Sequence, residues 1–189
     1  TPGLDHVGVG ALDVLPREVL LPYDSRVNGA QENAEVHRLL ATPLEYLGYV
    51  PVYHDLATQG LPPNSLGGRY AGVAFWSRGV QLDDQLQAWL VRQVGEGVRI
   101  ALLGSHSLVT GSALATATGV TSAGAMLADS TVVRHQDALA GFEQGLPPRF
   151  EPLGPQPRNV DPGNRVHVSL VDADGSIADP VITGAWGGM

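Results

Sequence analysis

The chain contains no cysteine and no lysine; all eleven of its basic side chains are arginine. Without a thiol there is no disulfide, no thiolate metal site and no cysteine nucleophile. Without lysine, a Walker-type phosphate loop, a Schiff base and the lysine of a receiver-type site are excluded as well. The formal net charge is -8 and only 16% of residues are charged. A nucleic-acid partner is therefore not expected, because phosphate contacts need a concentrated positive face. No uninterrupted apolar run approaches the roughly 18 residues of a membrane span, and no secretory signal pattern is present. The chain opens on Thr1-Pro2 without methionine and reads as a soluble, mature or excised segment. The missing thiols fit an oxidising compartment, and many cytosolic domains read the same way.

What is present suits one domain: 189 residues, 43% of them hydrophobic, enough to bury a substantial core. Residues 1–17 lack a clear period and read as a lead-in. Glu18 to Tyr23 (EVLLPY) reads as a buried strand that ends in Asp24-Ser25-Arg26. Val36, Leu39, Leu40, Leu44 and Leu47 recur at helical spacing, broken by Pro43. Thr42-Pro43-Leu44-Glu45 looks like a helix restart capped by Thr42, so a kinked helix or two helices meeting there are expected. Tyr49–Tyr53 is the next strand, running into His54-Asp55, and a loop with Pro62, Pro63, Gly67 and Gly68 follows. Tyr70–Trp76 is a third strand and Val98–Leu103 a fourth, separated by an amphipathic helix that starts near Asp83.

Apolar strands alternating with helices predict an α/β fold with a mostly parallel sheet covered on both faces. Beyond residue 107 the text changes. A small-residue helix is expected over 110–117 and a strand over 131–135, and the proline-rich stretch 145–164 reads as irregular. Arg165–Val171 alternates, Asp174-Gly175 signals a hairpin turn, and Pro180–Thr183 can pair back. The expected division is a lead-in (1–17), an α/β core (18–128) and a β-rich extension packed on it (129–189), one domain overall.

In an open parallel sheet, ligands bind beyond the carboxyl ends of the strands. Those ends carry Asp24, Ser25 and Arg26, then His54 and Asp55, then Trp76 and Ser77, then Gly104, Ser105 and His106. Candidate ligand contacts are thus Asp24, Arg26, His54, Asp55, Trp76, Ser105 and His106, with solvated loop and cap residues as the plain alternative for each. Tyr23, Tyr53, Trp76 and Trp186 could stack on sugar rings, and Trp76 could equally belong to the core. Gly8-Val9-Gly10 precedes the first strand and lacks the third glycine of a dinucleotide fingerprint. The six histidines stand singly, so no metal site is expected, and no cofactor signature is present. Ser105 sits where a nucleophile elbow would, but LGSHS lacks the flanking glycines of that turn. A small hydrolase using Ser105, His106 and Asp24 stays as an alternative, as does a flavodoxin-like cofactor-binding domain.

Several blocks together resemble the PelA family: the strand into DSR (24–26), the Thr42-Pro43-Leu44 break, Tyr53-His54-Asp55, RYAGVAFW (69–76), WLVRQVGEGVRIALLGS (89–105), VRHQDALAGFE (133–143) and GAWGGM (184–189). The likeness is densest over residues 18–107. PelA proteins are large periplasmic proteins of Pel exopolysaccharide biosynthesis in biofilm-forming bacteria, with glycoside hydrolase and polysaccharide deacetylase domains. The resemblance implies the flavodoxin-like, class I glutamine amidotransferase-like module between those domains. It also implies a periplasmic location, neighbouring catalytic domains as partners, and polysaccharide as a further one. An amidotransferase cysteine would fall at Leu103, Gly104 or Ser105, and the chain has none. The expectation is a non-catalytic accessory or scaffolding domain with no catalytic residues of its own.

Overall fold

A computed structural model describes residues 15–76, 80, 82–104, 108–123, 132–136, 156–172 and 175–189. The first half of the chain is a run of parallel strands: β1 (Glu18–Tyr23), β2 (Val50–Asp55), β3 (Tyr70–Trp76) and β4 (Arg99–Leu103). Short helices α1 (Ser25–Asn28) and α3 (Leu56–Gln59) follow β1 and β2. The longer helices are α2 (Thr42–Tyr46), α4 (Asp84–Gly95) and α5 (Ala113–Thr118). The second half is β-rich: β5 (Val120–Ala123), β6 (Val132–His135), β7 (Gln156–Asn159), β8 (Arg165–Asp172), β9 (Gly175–Gly184) and β10 (Gly187–Gly188).

One eight-stranded mixed sheet runs β2-β1-β3-β4-β10-β9-β8-β6, and β5 pairs with β7 in a second, two-stranded sheet. The pairs from β2 to β10 are parallel and those from β10 to β6 antiparallel. The expected α/β architecture with a mostly parallel sheet is therefore present.

Because β1 lies between β2 and β3, the chain runs outward to β2 and then back past β1. Right-handed crossovers put such opposed connections on opposite faces of the sheet, and the packing agrees. Val19, Leu21 and Ala74 meet Val36, Leu40 and Leu44 of the β1–β2 connection. Leu20, Val73, Phe75, Ile100 and Leu102 meet Leu86, Trp89 and Leu90 of α4 and Leu114 of α5 on the other face. Alternate residues of β1 thus serve two cores, which is why Val19–Pro22 is apolar without interruption.

The expected restart at Thr42 takes a different form. Thr42 has helical backbone angles and makes no capping bond; a π-helical stretch (Val36–Ala41) runs directly into α2. Pro43 has no amide hydrogen to give, and a widened turn just ahead of it lets the helix continue across the proline. Within the stretch read as irregular, Gln156–Asn159 forms β7, where Pro157 is accommodated in a short two-stranded sheet. No described helix is long and apolar enough to cross a membrane.

The proline-rich loop after α3 is fastened to α4 from beneath. Gln93 is completely buried. Its Oε1 accepts from the Leu66 amide (3.1 Å) and its Nε2 donates to the Asn64 carbonyl (2.7 Å). The Trp89 indole donates to the Pro63 carbonyl at 2.9 Å. These bonds satisfy loop backbone groups that burial would otherwise leave unpaired. Gln93→Leu keeps the apolar contacts but strands one amide and one carbonyl. It should lower stability by about 2–3 kcal/mol, read as a reduced urea midpoint with an unchanged slope.

Candidate functional site

The sheet's direction switches between β1 and β3, and a ligand crevice in open α/β sheets lies outside the strand ends at such a point. A cleft of ≈ 650 Å³ opens there, lined by Asp24, Arg26 and Val27 after β1, Leu56, Gly60 and Leu61 after β2, and Val80, Asp83, Gln85 and Leu86 at the start of α4. That volume falls in the range of small-molecule sites. Its apolar wall is aliphatic and its rim carries two carboxylates and one guanidinium.

Each rim group is built by local sequence. Asp24 is buried just past β1 and caps α1, accepting from the Arg26 amide at 2.9 Å. It also takes two nitrogens of the Arg26 guanidinium, Nε at 2.9 Å and a terminal nitrogen at 2.5 Å. Hydrogen bonding from the Arg26 side chain, against the cost of burial, holds the Asp24 carboxyl below its ordinary pKa. Arg26 itself is largely exposed and is raised by its bond to Asp24 and by the charges of Asp24, Asp55 and Asp83. Asp83 caps α4 through the Leu86 amide at 2.8 Å, which spends that helix end on an internal carboxylate.

Asp55, at the end of β2, ties two neighbouring connections together. One oxygen accepts from the Ser25 amide (3.0 Å) and the Ala57 amide (3.0 Å); the other accepts from the Ser25 hydroxyl (2.7 Å) and the Thr58 hydroxyl (2.9 Å). Burial alone would push this carboxyl up, but the four donors outweigh it and lower the pKa from 3.8 to about 2.

The structure thus brings Asp24, Arg26 and Asp55 together through Ser25. His54 turns aside: its Nε2 donates to the Gly60 carbonyl at 2.9 Å. Trp76 packs, partly buried, with the smaller core cluster. Tyr53 places its hydroxyl 2.7 Å from His37 Nδ1, and Trp186 belongs to the main core. Ser105 and His106 lie outside the described residues. Asp83 and Gln85 are the lining residues the sequence reading passed over as site groups. The signal that could have found them is the helix start at Asp83, close behind the end of β3, since the first turn of that helix must face the strand ends. Among the described residues no group of three or more His, Asp or Glu could hold a metal ion. The chain matches no known protein family, no curated protein and no solved structure.

The low pKa of Asp55 fixes the sign of an acid effect. A carboxyl whose folded pKa lies below its unfolded value stabilises the fold above the unfolded pKa and loses that contribution as pH falls through the folded one. The contribution of Asp55 should therefore fade between pH about 4 and about 2. Asp55→Asn should cost about 2 kcal/mol at pH 7. Urea melts of both proteins should show the difference shrinking across that window; a constant difference down to pH 2 would contradict the clip.

Proposed function

We propose that this chain is a non-catalytic accessory domain of a periplasmic, Pel-type polysaccharide-modifying enzyme, with a flavodoxin-like core. The observation that carries the reading is how the strand-end carboxylates are used. Asp24 caps α1 and pairs with Arg26, Asp83 caps α4, and Asp55 accepts four hydrogen bonds. A general acid or base working near neutrality needs a pKa near the working pH, and Asp24 and Asp55 are both held in the opposite direction. These side chains build a rim in which neither Asp24 nor Asp55 is poised for proton transfer near neutrality.

The strand order β2-β1-β3-β4 followed by the parallel β10 supports the flavodoxin-like assignment, whose order is 2-1-3-4-5. The rim does not favour a flavin phosphate, which would meet Asp24 and Asp83 beside a guanidinium already engaged by Asp24. Packing against neighbouring catalytic domains is supported by an apolar corner at the end of α2, where Tyr46 is 90% and Leu47 69% exposed. Exposed apolar patches of this kind mark interaction surfaces.

The purified chain should turn over neither activated esters nor glutamine above the buffer rate, and it should stay colourless and unshifted in melting temperature with added FMN. Ester hydrolysis that disappears in Ser105→Ala or His106→Ala would replace this reading with a hydrolase. A yellow FMN complex would replace it with a cofactor carrier.

A further inference from the structure

The main sheet has one narrow seam. On one side, β1 is registered with β2 over six residue pairs and with β3 over three, and β3 with β4 over five. On the other, β8 meets β9 over six pairs and β6 over four. Between the two halves stands only β10, which contributes Gly187 opposite Ile100 and Gly188 opposite Ala101. Among the described residues, the strand pairing that joins the parallel half of this sheet to the antiparallel half runs through β10 and the residues beside it.

The segment that closes the seam is fitted with little tolerance. Gly187 has φ of 131°, and a Cβ there would fall on the Ile100 carbonyl. At Gly184 a Cβ would strike the Asn164 amide and the Trp186 indole. The Trp186 carbonyl accepts from the Ile100 amide at 2.7 Å, and its buried indole donates to Asn164 Oδ1 at 3.0 Å. Asn164 in turn donates to the Thr118 carbonyl at the end of α5 (2.8 Å). Met189 exchanges two backbone bonds with Ile182. The motif GAWGGM therefore has a mechanical reading: two glycines allow close approach, and the tryptophan anchors the approach in the core.

We propose that residues 184–189 are a clasp, and that releasing it opens the sheet along the β4–β10 seam as a sub-global event. In that event β8 and β9 part from a persisting β1–β4 and α4 unit, and the β5–β7 ladder, a second link between the two halves, yields with them. Cooperative units of this kind follow supersecondary boundaries, and the seam coincides with the change from parallel to antiparallel pairing. The inference concerns the fold's internal joints and is independent of the accessory reading of the cleft.

Native-state hydrogen exchange of the full chain, read by mass spectrometry, tests it. Gly187→Ala should speed exchange in peptides covering β4 and 156–189 by at least about tenfold, while β1, β2, β3 and α4 keep wild-type protection. Equal acceleration along the whole chain, or no acceleration at all, would overturn the proposal. Should Gly187→Ala fail to fold, Trp186→Phe removes the indole bond to Asn164 together with part of the buried ring. The same regional pattern is expected there at smaller amplitude, and a uniform change would again count against the clasp.

Discussion

The candidate site depends on a single carboxylate bridging two turns. β1 and β2 end side by side, and the chain leaves each through a one-turn helix too short to hold its own geometry. Asp55 supplies what length does not: it caps α3 through Ala57 and Thr58, and reaches across to the amide and hydroxyl of Ser25 at the start of α1. With α1 held there, Asp24 and Arg26 face the crevice as a fixed pair and Val27 and Leu56 are set along its wall. The acidity of Asp55 is thus a by-product of its architectural task, since every donor that orders the turns also stabilises the ionised form.

On the far side of the crevice the same job falls to a neutral group. Gln93 reaches from α4 into the proline-rich loop, so that Gly60 and Leu61 at the crevice edge precede a segment whose backbone is pinned at Pro63, Asn64 and Leu66. A charged residue at so buried a position would carry a desolvation cost that an amide avoids. The cleft is therefore walled by one ionic and one neutral staple, each acting on backbone more than on ligand.

Much of this was legible in the sequence. The four parallel strands, α4 with its cap and the antiparallel pairing of β8 with β9 follow from apolar periodicity and Asp83, because those signals are local; Asp174 of the expected turn lies outside the described residues. The clustering of Asp24, Arg26 and Asp55 followed from the strand-end rule alone. What did not show was non-local. The role of Asp55 rests on Ser25, thirty positions away, and that of Gln93 on a loop twenty-seven positions upstream. Composition marks a glutamine on an amphipathic helix as surface, and only packing reveals it as core. Two helical segments meet at Thr42 as the sequence suggests, but Thr42 sits inside the helical run and is not its cap, because a π-helical stretch leads directly into α2. Gly187 was visible as a letter but not as a contact, since its partner Ile100 lies on a strand the chain left long before.

The outer edge of β2 shows how the fold protects itself where the sheet stops. Val50 gives its amide inward to the Arg17 carbonyl, so by alternation the backbone groups of Pro51, Tyr53 and Asp55 face outward. Of these three, Pro51 has no amide hydrogen to offer, and the Asp55 amide is covered by the Gln59 side chain at 2.9 Å. An approaching strand would find its register broken at both ends of β2, which is how natural sheets discourage edge pairing. The exposed apolar corner at Tyr46 and Leu47 lies just ahead of this blocked edge. Strand addition at this edge is therefore disfavoured, whereas the corner offers side-chain packing.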